Sequence, residues 1–183
     1  MRRLRSRGGR PGELSVFVRG WRDQVALWRT PYRLLLPGVA WMALLLALLA
    51  WLDGRQGVFL VPPFAASLSI LLNLSDVPIA QPTAIVAGST LGAALGTVLA
   101  MALGASPWVA ALGAVLSIAV LVALRIYHPP GIALAMYPAL LHPGTWFAVA
   151  VVLPFTLVAV GSMALLSRAV PGWPRYPAPH RHR

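Results

Sequence analysis

Residues 83–104 read TAIVAGSTLGAALGTVLAMALG, and none of them is charged. A run of that length is enough for a helix to cross the roughly 30 Å of hydrocarbon in a bilayer. Within it Ala84, Gly88, Gly92, Gly96, Ala100 and Gly104 recur at an unbroken spacing of four. On an α-helix this spacing stacks the small residues on one face, where a second helix backbone can approach closely. The stretch predicts a membrane helix over 83–103 whose small-residue ladder is a packing seam, within the chain or between two copies.

Working outward, residues 34–52 form another uncharged run, with Trp41 and Trp51 inside it. Residues 108–126 and 146–167 read as two more spans, the last kinked at Pro154. Two further apolar stretches are interrupted: 58–74 by Pro62-Pro63, and 127–141 by Pro129-Pro130, with Pro138 further in. Each predicts an extended entry and then a short helix with the prolines in its first turn, where a missing N–H costs nothing. The two double prolines stand 67 residues apart, which aligns Pro62-Pro63-Phe64-Ala65-Ala66 with Pro129-Pro130-Gly131-Ile132-Ala133. The chain thus reads as two repeats of span, proline-broken segment, span. In repeat-built transporters, matched broken segments point to the substrate site. The expectation is an all-α membrane protein with four full transmembrane helices plus two proline-broken re-entrant or half-helix segments; the alternative is six crossings.

Composition agrees. Of 183 residues, 58 % are hydrophobic and 10 % charged, against about 25 % charged in a soluble domain. Without cysteine, disulfides, iron–sulfur clusters and thiolate zinc sites are excluded. The net charge of +11 is carried by the two ends, for residues 34–167 hold only Asp53, Arg55, Asp76 and Arg125. Basic ends flanking an apolar block are topogenic and favour contact with anionic lipid; a nucleic-acid binder would mount them on a folded face. Three regions follow. Residues 1–33 are a basic cytoplasmic arm, with Leu14, Phe17, Val18, Trp21, Val25 and Trp28 marking an interfacial amphipathic helix. Residues 34–167 are the membrane domain, and 168–183 a basic, proline-rich tail expected to be disordered. Both ends are expected in the cytoplasm, with the protein in the cell's inner (plasma) membrane.

A helix that starts at membrane depth needs its first N–H groups satisfied, and its positive dipole end favours an anion. The polar residues gather near the two double prolines: Ser67 and Ser69 after the first, Arg125, Tyr127 and His128 before the second, and Gln81 in the Ala80-Gln81-Pro82 turn. A charge at mid-bilayer costs about 3 kcal/mol on insertion scales, so Arg125 reads as an anion-coordinating cation, or else one that snorkels to headgroups or pairs with Asp76. His142, beside Pro143-Gly144, reads as a loop residue. The membrane block offers two Asp, two His and no Glu. Acid–base pair, metal-ligand spacing and phosphate loop are all missing, so no enzyme, cofactor or metal is expected.

Tyr127-His128-Pro129-Pro130-Gly131-Ile132-Ala133-Leu134 resembles the His-Pro-Pro signature of the HPP family of integral membrane proteins. Pro63-Phe64-Ala65-Ala66-Ser67 resembles that family's Pro-Phe-Gly/Ala-Ala-Ser segment, and Ala80-Gln81-Pro82 its Ala-Gln-Pro element, in the family's order. Thr83 and Ile132 depart from the usual pattern. The resemblance implies a compact multi-span protein, and some chloroplast and cyanobacterial relatives carry nitrite. The candidate substrate-binding residues are Arg125, His128, Pro129, Pro130, Gly131, Pro63, Phe64, Ala66, Ser67 and Gln81. The expected function is a transporter or channel for a small inorganic anion, nitrite first, held at the N-termini of the two broken helices. The alternatives are a non-transporting membrane scaffold and a pore for a small neutral solute. The expected partners are anionic lipid at the Arg-rich ends, the anion, and a second copy through Gly88, Gly92 and Gly96.

Overall fold

The structure, a computed structural model, describes residues 35–54 and 62–178. The amphipathic stretch 14–28, the rest of the basic arm, residues 55–61 and the last five residues lie outside them. Among the described residues there are helices and no strands. Helix α1 covers Leu35–Asp53, α2 Pro62–Asn73, α3 Ser89–Leu103, α4 Pro107–Ala123, α5 Pro129–Leu141 and α6 Leu153–Ala169. A π turn over Ala84–Gly88 runs straight into α3, and another over Ala148–Val152 into α6. Three helical rods, Leu36–Asp53, Ala84–Leu103 and Ala148–Ala169, are long and apolar enough to cross a bilayer.

The element ends follow from local chemistry. α2, α4 and α5 all begin at proline, whose φ is already helical. The Ser106 side chain caps α4 by accepting from Val109 N at 3.3 Å. α4 stops in a Schellman turn: Ile126 N donates to Leu121 O and Arg125 N to Val122 O, both at 3.0 Å. The turn puts Arg125 at φ 57°, a position that usually goes to glycine. The break at Pro154 is taken up by the π turn before it, where Leu153 N reaches back to Ala148 O.

Helix directions can be read from which residues meet. α3 and α5 run parallel and touch backbone to backbone: a Cβ on Gly92 would strike the carbonyl of Gly131, and one on Gly96 that of Ala135. α4 runs against both, with Gly113 beside Ala135 and Val109 and Ala110 packed on Ala139, Leu99 and Ala100. α6 runs against α1, since Trp41 Nε1 donates to Ser162 Oγ at 3.0 Å while Leu45 to Leu52 face Ala150 to Val158. α2 runs against α1, with Leu72 beside Gly38 and Phe64 against Phe155, ring centres 4.1 Å apart. Neither short helix turns back to the end of the bundle it came from. At 12 and 13 residues both double-proline helices are shorter than a full crossing, as expected of half-helix segments. The path repeats as long helix, short double-proline helix, long helix; three elements being odd, the second set is inverted relative to the first.

Two expectations are corrected. The ladder face of Gly88, Gly92 and Gly96 is filled by α5 of the same chain, leaving these glycines no surface for a second copy. The tail is ordered over residues 170–178, with Trp173 and Tyr176 buried.

Candidate functional site

The site forms where α2, the Gln81 turn, the Ala84–Gly88 π turn and the start of α5 converge. Gln81 follows a short 3₁₀ turn, Pro78–Ala80. Its Nε2 donates to Ser75 O at 3.1 Å and to Val77 O at 3.0 Å, fixing the loop. The loop is thereby held with the Ile79 carbonyl against His128 Nδ1, 2.9 Å away. His128 is the extended residue ahead of α5, with φ −139° and ψ 109°. Its Nε2 lies 2.9 Å from Ser67 Oγ on α2. The carbonyl can only accept, so Nδ1 carries the proton, and in the neutral ring Nε2 accepts from the Ser67 hydroxyl. Both partners are uncharged, which suits the neutral ring.

Burial explains why these groups must pair. His128 is 0 % exposed and Ser67 1 %. Ser67 shares the inward stripe of α2 with Phe64, Leu68 and Leu71, all 0 % exposed. A buried polar group left without a partner costs about 1–3 kcal/mol, so Ser67, His128 and Ile79 form an interdependent bridge across three segments.

The structure gathers only part of the expected set. Pro63, Phe64, Ser67, His128, Pro130 and Gly131 are buried around the bridge, and Pro129 and Gln81 are half-buried. Ala66, Ser69 and Arg125 are exposed. Arg125 caps the end of α4 and takes no part in the bridge. His142 ends α5 in a left-handed conformation, and with Thr97, Pro138 and Thr145 lines a pocket of about 200 Å³. Given the parallel run of α3 and α5, that pocket is at the end of the bundle opposite His128.

The helix start itself differs from expectation. Pro129 and Pro130 have no N–H, and the Gly131 N–H is already bonded to His128 O at 2.9 Å. The first three positions of α5 therefore present no free donor: the dipole end remains, without the N–H cradle expected to hold an anion. Sequence reading also missed the Ile79 carbonyl and the hydroxyls of Ser89 and Ser117. Both serines are 0 % exposed, and their hydroxyls have no hydrogen-bond partner among the described residues. Ser89 abuts Gly131 at the start of α5. For the two serines, the available signal was a polar residue inside an uncharged apolar run.

No curated protein and no solved structure matches the chain. The family model described as "HPP, transmembrane region" matches residues 25–177. That range takes in both double-proline helices, the Gln81 turn and the ordered tail, as well as every long apolar helix of the bundle. The chain is an integral membrane protein that belongs to the HPP transmembrane family.

Proposed function

We propose that the protein is a permeation pathway, transporter or channel, for a small inorganic anion, with nitrite as the first candidate. The observation that carries the reading is the buried His128–Ser67 bridge inside an apolar bundle. Both donors of the bridge are in use at rest, so an anion shed of some of its water is held by taking the Ser67 hydroxyl from Nε2, a swap of one acceptor for another. The nearby Ser89 hydroxyl adds a third donor, and Arg125, exposed at the end of α4, adds positive charge in the same turn. Nitrite itself comes from the family resemblance. Both ends of the membrane domain lie at one end of the bundle, which supports a cytoplasmic placement for both basic termini.

One observation favours a second reading, a pore for a small neutral solute: the start of α5 offers no free N–H and the buried bridge holds no cation. Uptake of nitrite into proteoliposomes, with nitrate, formate, chloride and urea as competitors, separates the two. The anion reading expects saturable uptake, competed by anions and lost in Arg125→Ala/His128→Ala. Competition by urea alone would favour the neutral pore. The absence of uptake of any of these solutes by folded protein would sink both readings.

A further inference from the structure

Beyond Ala169 the chain does not leave the bundle. Gly172, at φ +82°, turns it back, and Val170 O accepts from Trp173 N at 3.1 Å. The Trp173 ring, 6 % exposed, meets Trp41 edge-on, with centres 6.3 Å apart and planes at 88°. Its Nε1–H points at Met163 Sδ, 3.1 Å away. Tyr176 N then donates to Ser167 Oγ at 2.8 Å, and Ala178 N to Gln81 Oε1 at 3.2 Å. The same Gln81 amide holds the loop whose Ile79 carbonyl receives His128. Residues 170–178 thus form a strap across the end of the bundle where α5 starts, joined through Gln81 and its loop to the His128–Ser67 bridge.

We propose that this strap is a gate: docked on Gln81 it closes that end of the pathway, and undocked it opens it. The inference rests on the permeation reading above. The composition of the strap suits a hinged element. Pro171, Pro174 and Pro177 give it no run of N–H groups with which to extend α6 or pair as a strand. Outside α6 it is held by one backbone-to-side-chain hydrogen bond, Ala178 N to Gln81, and by Trp173 against Trp41. Docking also has a built-in cost, because the buried Tyr176 hydroxyl, in a side chain 4 % exposed, has no partner among the described residues. Undocking returns that hydroxyl to water. Two states close in free energy are what a gate requires. Arg175, exposed on the strap, places a positive charge at the opening, where it would draw an anion.

The chain has no cysteine, so an introduced pair can be joined cleanly. In Ser167→Cys/Tyr176→Cys, oxidation fixes the strap in its docked position. Nitrite uptake is expected to fall at least tenfold on oxidation and to recover with dithiothreitol, while the cysteine-free parent ignores both treatments. Equal uptake in the oxidised and reduced states overturns the gate, and so does failure of the pair to cross-link in folded protein. Ala178→Pro, which removes the N–H given to Gln81, is expected to raise uptake about threefold; unchanged uptake counts against the gate. Absence of nitrite uptake by the parent would remove the permeation reading itself, and the gate with it, an outcome distinct from uptake that the cross-link leaves unchanged.

Discussion

The two double-proline helices share a sequence pattern and are held in opposite ways. At an offset of 67, Gly131 of α5 corresponds to Phe64 of α2, Leu134 to Ser67, and Ala135 to Leu68. Where α5 is small, α3 packs directly on its backbone through Gly92 and Gly96, and α4 joins through Gly113. Where α2 is large, its contacts run through side chains, with Phe64 packed at a tilt of 31° against Phe155. α5 is consequently clamped through its backbone, and α2 is packed through its side chains. The His128–Ser67 hydrogen bond ties the backbone-clamped element to the side-chain-packed one.

The comparison is most easily broken at the glycine seam. Gly96→Val pushes two methyls and a Cβ into the Ala135 carbonyl, backbone that cannot give way. A loss of about 3 kcal/mol or more is expected, seen as aggregation in detergent by size-exclusion chromatography; a monodisperse, fully folded variant would show that α5 is not clamped. Next comes His128→Ala, which strands the Ile79 carbonyl and leaves a cavity. It should cost about 2–3 kcal/mol of stability, measured as a lower midpoint in thermal unfolding, and should abolish uptake. Phe64→Leu tests the softer side. With side chains rather than backbone to repack around α2, the cost should stay near 1.5 kcal/mol, and a loss as large as that of Gly96→Val would erase the contrast. The smallest effect belongs to Arg125→Gly. Relieving the left-handed backbone should raise stability by about 1 kcal/mol, whereas a fall would assign the arginine side chain a structural partner.

Much of this fold is legible in the sequence because membrane helices are specified by long apolar runs. The ladder announced a close helix contact, but spacing alone carries no partner: α5, a short helix interrupted by Pro138, did not look like the element that fills it. The shortness of the double-proline helices, read as re-entrant or half-helix segments, is legible too. Length says how far a helix reaches, and only the register of Gly131 and Ala135 against α3 shows which way it runs. The lack of an anion cradle is legible as well, since the missing proline N–H that makes a helix start tolerable also removes the donors an anion would use. The tail read as disordered because arginine and proline dominate it; Trp173 and Tyr176, out of place in a disordered segment, were the signal that it packs. The Ser67–His128 bridge joins residues 61 apart in sequence, and of that partnership the sequence carries only the motifs.

The central claim, that a small anion passes through this bundle by way of the His128–Ser67 bridge, is tested most directly by nitrite uptake into proteoliposomes held at set membrane potentials. The account predicts saturable uptake that rises as the interior is made positive and disappears in folded His128→Ala protein. Uptake indifferent to the potential, or undiminished without His128, would contradict it.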